Sequence, residues 1–250
     1  MTGFGNASLV EVATTYARRG WPVVPLHSIV HGVCTCGKPT CRSAGKHPRT
    51  AHGVRDATCD EVRIERLLRG AVNIGIATGT LAGFVALDVD PRNGGSDSLA
   101  RLERELGSLP STVRSVTGGK GEHVYFQDPK QALRGRLKAG IDIKSNGGLL
   151  VAPPSVHASG RRYEWKHAPD EVRLAMLPSR WLASMIRPEP TAPMNAGHAR
   201  GGHVDSRWLP PRCERIVRAR AYAARMPPAI SGNGGDNATF VTASKIATIP

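Results

Sequence analysis

The sequence lacks several features that would assign it to other classes of protein. None of its apolar runs approaches the roughly 20 residues needed to span a bilayer. The N-terminus has no basic stretch followed by an apolar segment of signal-peptide length. A Gly-x4-Gly-Lys-Ser/Thr phosphate loop is also absent, which excludes an NTP-driven motor in this chain. These absences predict a cytoplasmic protein with no membrane partner.

Acidic residues are scarce relative to basic ones. The chain of 250 residues has 20 Asp and Glu against 34 Lys and Arg, a formal charge of +14, and 26 of the basic residues are arginines. Arginine can bind a phosphate through two parallel hydrogen bonds. The composition favours a polyanionic partner, with RNA or DNA ahead of an anionic membrane because no basic amphipathic helix stands out. A basic surface that only aids solubility is the alternative.

Short strand-like segments and helical patterns follow one another without regular alternation. Helices are predicted over residues 7–19, from Thr58, over about 96–107 and over about 170–187, with strand-like runs such as FVALDVD, EHVYF, GIDIKS and GLLVA between them. This order favours an α+β fold with a mixed sheet over a doubly wound fold. Residues 188–207 are rich in Pro and Gly and are predicted to be a linker, and residues 208–250 a short helical C-terminal region.

Two aspartates end the apolar run FVALDVD. Residues two apart in a strand point to the same side, so Asp88 and Asp90 are predicted to project together. Neighbouring carboxylates repel each other, and a divalent cation such as Mg²⁺ or Mn²⁺ relieves the repulsion. An EF-hand is excluded because its sixth and twelfth positions would be Asn93 and Leu99 instead of Gly and Glu. A plain acidic turn remains an alternative.

A glycine-rich loop and a second acidic strand follow. In GIDIKS, Asp142 lies between two isoleucines that would face the core, and Lys144 points the same way as Asp142, where it could hold a phosphate or a template backbone. Backbone N–H groups of a glycine-rich loop can approach an anion closely. Such a loop lies before GIDIKS, in the segment VTGGKGEHVYF. Its candidate anion-binding residues are Gly118, Gly119, Gly121 and His123. Alone this loop is weak evidence, because a single histidine is more often structural than functional.

Three of the five cysteines lie close together in CTCGKPTCRSAGKHP. In a reducing compartment such a cluster indicates a metal rather than disulfides. Three thiolates and an imidazole would form a closed, structural zinc site that orders the loop over residues 27–58. The predicted ligands are Cys34, Cys36, Cys41 and His47. The nearby histidines His27, His31 and His52 are alternatives for the fourth ligand, and unliganded cysteines are the alternative to any metal.

Together these motifs resemble a known family. The ordered set Asp88-Val-Asp90, Gly121-Glu-His123 and Ile141-Asp142 resembles the three motifs of the archaeo-eukaryotic primase superfamily. More closely, NIGIATG, ALDVDPRNGG, TGGKGEHVYF and GGLLVAPPSVHASGRRYEW resemble the N-terminal domain of bifunctional DNA primase/polymerases (prim-pol) of phages, plasmids and integrated elements. The resemblance covers roughly residues 10–185. It departs at Gly121, where the family usually has Ser.

The resemblance implies that residues 1–187 are a primase/polymerase catalytic domain, an enzyme that joins nucleoside triphosphates on a single-stranded DNA template. Asp88, Asp90 and Asp142 would hold Mg²⁺ or Mn²⁺, and His123 would contact the phosphates of the nucleotide. Lys46, in the segment GKHP, would bind nucleotide or DNA. His157 and Arg161 are assigned to the same groove only because they follow a strand next to Asp142.

Two other functions remain open. A non-catalytic DNA-binding module of replication initiation would use the basic surface with a degenerate acidic site, and a metal-dependent nuclease would also need clustered carboxylates. The glycine-rich loop with His123 favours the polymerase, because it suits a triphosphate. Since the chain has no phosphate loop, we expect either that it is a truncated or naturally short form of a longer primase–helicase or that a separate helicase supplies unwinding.

Overall fold

The computed structural model describes residues 8–70 and 72–187, which form helices and sheets in an α+β arrangement, as predicted. The helices are α1 (Leu9–Arg18), α2 (Glu61–Leu67), α3 (Gly95–Leu106) and α4 (Ser179–Met185). The strands are β1 (Val23–His27), β2 (Ile29–Val30), β3 (Val33–Cys34), β4 (Val72–Ala77), β5 (Phe84–Val89), β6 (Arg114–Val116), β7 (Glu122–Gln127), β8 (Arg136–Lys138), β9 (Ile141–Lys144), β10 (Leu149–Ala152) and β11 (Glu164–His167). The predicted linker and C-terminal helical region lie outside the described residues, so the predicted domain boundaries stay predictions. None of the helices in the described ranges has the length and apolarity that crossing a membrane requires.

The strands form two larger sheets and a small hairpin. A six-stranded sheet has the order β11-β6-β7-β5-β9-β8, a three-stranded sheet has the order β1-β4-β10, and β2 pairs with β3. The named strands pair antiparallel, and a parallel bridge joins Phe126 to Ala175 outside them. The acidic strands β5 and β9 are therefore direct neighbours inside the larger sheet.

The central strand β5 separates two apolar cores. Phe84 and Ala86 face a core shared with α1, β1 and β4, whereas Val85, Leu87 and Val89 face a second core. The second core contains Leu102 of α3 and Trp181 and Met185 of α4. This alternation follows the two-residue period of a strand, and it turns Asp88 toward the same face as Phe84 and Ala86.

The predicted helix over about 170–187 is wrong in its first half. Residues 170–178 contain turns and extended segments, and α4 begins only at Ser179, with Pro178 as its N-cap residue. A proline disfavours the helical conformation in the residue before it, which ends any helix approaching from the N-terminal side. Ala175 instead accepts a hydrogen bond from the N–H of Gln127 at the end of β7.

Candidate active site

A row of polar side chains crosses five neighbouring strands of the larger sheet. The register pairs Ser115 with His123, His123 with Asp88, Asp88 with Asp142 and Asp142 with Arg136. Residues directly opposite each other in antiparallel strands present their side chains on the same face. Strand pairing therefore brings three of the predicted catalytic residues side by side.

Four residues of this row, His123, Asp88, Asp142 and Arg136, line a cleft of about 560 Å³ that β10 also lines. Nine of the predicted site residues line it: Lys46, Asp88, Asp90, Gly119, Gly121, His123, Asp142, Lys144 and His157. Eleven further lining residues were not predicted from the sequence, among them Arg92, Asn93, Arg136 and Tyr163. The other two predicted residues do not line the cleft, and the Nε of Arg161 donates to the carbonyl oxygen of Gly118 at 3.0 Å. Arg161 and Gly118 thus support the wall of the cleft.

Basic side chains contact the carboxylates of the row. Lys144 Nζ lies 3.4 Å from Asp88 Oδ2 and 3.6 Å from Asp142 Oδ2. Arg136 Nε donates to Asp142 Oδ1 at 3.0 Å, and His123 Nε2 lies 3.6 Å from Asp88 Oδ1. The mutual repulsion of the acids is therefore offset by cationic side chains of the same sheet.

Asp90 differs from the other two acids, because it follows β5 and binds its own turn. Arg92 donates through Nε to Oδ1 at 3.0 Å and through Nη2 to Oδ2 at 2.9 Å, and Asn93 Nδ2 donates to Oδ2 at 2.9 Å. The hydrogen bonds from Arg92 lower the pKa of the Asp90 carboxyl, against the opposing effect of burial. Gly94, at a φ of 77°, then turns the chain into α3.

His123 is 4 % exposed and neutral at neutral pH. Burial lowers the pKa of His123 to about 4, although the charge of Asp88 acts in the opposite direction. Ser115 Oγ lies 3.4 Å from His123 Nδ1 and 3.3 Å from the hydroxyl of Tyr125. Ser115, His123 and Asp88 have the residue types of a hydrolase triad, but Ser115 is 0 % exposed and cannot reach a substrate.

The structure explains the departure from the family pattern at Gly121. A Cβ atom at this position would collide with the carbonyl oxygen of Val89 at the end of β5. A serine would therefore need a shift of the backbone next to the acids. The N–H of Gly121 donates instead to the Thr117 hydroxyl at 3.0 Å, which closes the glycine-rich loop.

The three cysteines and His47 form a compact cluster that could hold a zinc ion. Their four ligand atoms lie within 4.8 Å of one another, with His47 Nε2 at 3.4 Å from Cys41 Sγ and 3.5 Å from Cys34 Sγ. Burial raises the pKa of the Cys34 thiol, but backbone N–H groups of Cys36 and Gly45 and the ring of His47 outweigh burial and lower the pKa to about 6. A low thiol pKa suits a thiolate ligand.

The positions of the side chains bear on the identity of the fourth zinc ligand and on whether the aspartates form a second metal site. Among the alternative fourth ligands, the Nδ1 of His27 contacts the Thr35 hydroxyl and the Nδ1 of His52 contacts Asp56, so the geometry favours His47. Within residues 8–70 and 72–187, no other group of three or more His, Cys, Asp and Glu side chains is placed to hold a metal ion. The three predicted aspartates therefore do not converge on one point while they contact the basic side chains.

Asn73, which the sequence analysis missed, connects the loops that carry two cleft residues. Its Nδ2 donates to the carbonyl oxygens of Gly45 and Val156 at 2.8 and 2.7 Å, and its Oδ1 accepts from the N–H of Val156 at 2.9 Å. The side chain is buried in β4. Since Gly45 precedes Lys46 and Val156 precedes His157, this amide holds both cleft residues in place. A lone Asn in an apolar strand was the available signal.

Replacing Asn73 with Ala is expected to destabilise the protein by about 3 kcal/mol, since three buried or half-buried backbone groups lose partners worth roughly 1 kcal/mol each. Urea denaturation would measure this as a lower midpoint with an unchanged slope. Gln127→Ala, which removes an amide that donates to the Leu174 carbonyl at the surface, is the matched control and should shift the midpoint little. If the Asn73→Ala midpoint equals that of the control, the hydrogen bonds of Asn73 do not stabilise the two loops.

The chain matches the sequence profile of a protein family. A sequence profile described as "Bifunctional DNA primase/polymerase, N-terminal" matches residues 13–181. The match includes the cleft, the glycine-rich loop and the cysteine cluster, and it agrees with the resemblance predicted over roughly residues 10–185. A search of curated proteins finds no match.

Proposed function

The chain belongs to the bifunctional DNA primase/polymerase family through its N-terminal domain, and from this premise we propose that it synthesises and extends primers on single-stranded DNA. The family membership implies nucleotidyl transfer in DNA replication, and the substrates and residue roles below are our proposal. The observation that carries it is the pairing of Asp88 with Asp142 beside His123 in one cleft. Replication of a phage, plasmid or integrated element, with a separate helicase, is the setting we propose.

The donor set of the cleft fits a divalent metal. Asp88, Asp90 and Asp142 offer carboxylate oxygens, the ligands that Mg²⁺ and Mn²⁺ prefer, in a cleft that also holds basic side chains for phosphates. These three residues would hold the metal. When bound, divalent ions offset the charge of the triphosphate and lower the pKa of the attacking 3′-hydroxyl.

The chain's own residues bind and orient the nucleotide. Lys46 and Lys144 supply positive charge for the phosphates, and the backbone of Gly119 and Gly121 lies at the same cleft. Burial lowers the pKa of His123, and a neutral imidazole can donate a single hydrogen bond to a phosphate oxygen. The zinc ion that we propose for the Cys34 cluster is structural, because all four of its ligands come from the protein.

A primer-synthesis assay tests the proposal. We expect labelled nucleotides, a single-stranded template without primer and Mn²⁺ or Mg²⁺ to give new strands that depend on the template. Separate reactions with deoxynucleotides and ribonucleotides would identify the substrate. Shortening of the template would instead indicate a nuclease, and template binding without any product would indicate a binding module.

A further inference from the structure

Asp90 has no free acceptor site for a metal ion in the arrangement described above. An ionised carboxylate offers about four lone-pair sites. Oδ1 accepts from the backbone N–H and the Nε of Arg92, both at 3.0 Å. Oδ2 accepts from Arg92 Nη2 and Asn93 Nδ2, both at 2.9 Å. A metal ligand at Asp90 therefore requires a donor side chain to leave first, and Arg92 provides two of the three side-chain hydrogen bonds to this carboxylate.

The position of the Arg92 side chain allows it to move away from the Asp90 carboxylate. It lies on the short turn Pro91–Asn93 rather than in a sheet, its side chain is 63 % exposed, and it lines the cleft. Because the guanidinium is exposed and is not packed in a core, it can move away from Asp90 without disturbing the fold. By contrast, Asp88 and Asp142 lie within β5 and β9, where the backbone is fixed by strand pairing.

The charge balance of the cleft indicates where Arg92 would go. Three acids, Asp88, Asp90 and Asp142, face four cationic side chains, Lys46, Arg92, Arg136 and Lys144. A metal ion alone would add positive charge to a set already positive by one. A triphosphate alone would compete with the acids for the cations. When both bind, the metal can take the carboxylates while the triphosphate takes the guanidinium, which suits two oxygens of a phosphate.

On the basis of the proposed function, we propose that Arg92 is a phosphate-binding residue that Asp90 holds in the free protein. Arg92 exchanges Asp90 for the triphosphate when metal and nucleotide bind together. The exchange makes the two bindings cooperative, because each ligand removes the partner that blocks the other.

Arg92→Gln separates the two halves of the exchange. Without nucleotide, this variant should bind Mn²⁺ about threefold more tightly than the wild-type protein, because Asp90 loses an exposed ion-pair partner. With Mn²⁺ present, it should bind a deoxynucleoside triphosphate about tenfold more weakly, because two charge-assisted hydrogen bonds to phosphate are lost. Free Mn²⁺ would be measured by electron paramagnetic resonance, and nucleotide binding by titration calorimetry.

Two further variants control the experiment. Arg101→Gln, on α3 and paired with Glu105, removes an exposed arginine that does not line the cleft, and it should change neither affinity. Asn93→Ala frees one of the acceptor sites of Asp90 without changing charge, and it should tighten Mn²⁺ binding less than Arg92→Gln does. Melting temperatures would show that each variant is folded.

The outcomes distinguish this inference from the proposed function. If the wild-type protein makes primers but Arg92→Gln binds Mn²⁺ no more tightly, the exchange is overturned and the proposed function stands. Unchanged nucleotide affinity in Arg92→Gln also overturns it. If the wild-type protein binds neither Mn²⁺ nor nucleotide, both proposals are overturned.

Discussion

Replacing Asp88 with Asn is expected to lower the rate of primer synthesis by about a thousandfold, because the loss of a metal-binding carboxylate removes several kcal/mol of transition-state stabilisation. Asp88 occupies the centre of the polar row, between His123 and Asp142. The amide keeps the shape of the side chain but loses its charge. Single-turnover synthesis on a single-stranded template would measure the rate.

The matched control is Asp97→Asn, which removes an exposed acid in the first turn of α3. We expect this variant to keep the wild-type rate within about twofold, as is usual for surface substitutions. Asp88→Asn should still bind single-stranded DNA, since phosphate contacts come from basic residues. An Asp88→Asn enzyme that retains a large part of its rate would show that this carboxylate does not hold the catalytic metal.

Replacing Cys41 with Ser is expected to abolish zinc binding and to weaken nucleotide binding about tenfold, because a closed zinc site needs all its ligands and orders the loop that carries Lys46. His47, the proposed fourth ligand, directly follows Lys46, and its carbonyl oxygen accepts from the N–H of His27 at the end of β1. Loss of the metal would release this connection. Metal analysis and nucleotide titration would measure the two effects.

Cys59→Ser serves as the control, because Cys59 lies outside the cluster. This variant should keep both the zinc and the nucleotide affinity. Wild-type protein that contains less than about half a zinc per chain would contradict the structural zinc site. Cys41→Ser protein that loses zinc but keeps its nucleotide affinity would show that the loop holds Lys46 without the metal.

Local patterns predicted some of the side chains that share a face, but Asp90, expected from the period of a strand to project beside Asp88, lies after the end of β5 and bonds its own turn. The two-residue period of a strand placed Asp142 and Lys144 together, and the structure confirms that Lys144 contacts Asp142. The pairing of Asp88 with Asp142 and His123 could not be read in the same way, because register depends on contacts between distant strands. The resemblance to the family, rather than the periodicity, brought these residues together in advance.

The site residues that were not predicted from the sequence have one physical feature in common, which is that their roles depend on the folded backbone. Arg92 and Asn93 follow an aspartate and precede two glycines, so the sequence indicated only a turn, and their bonds to Asp90 depend on the folded backbone. The sequence pattern also did not predict that the side chain of His123 is buried. The sequence predicted His47 as the fourth zinc ligand but left three other histidines as alternatives, because the choice depends on how the loop closes against β1.

The polar row has a practical consequence for anyone who purifies this protein. Main-chain hydrogen bonds between β5, β7 and β9 set the spacing of Asp88, His123 and Asp142. A slip of β9 by one residue would turn Asp142 and Lys144 to the opposite face and present isoleucine to the cleft. Molecules that are collapsed or whose strands are misregistered would therefore be inactive. The specific activity of a preparation would then be proportional to its fraction of correctly folded molecules.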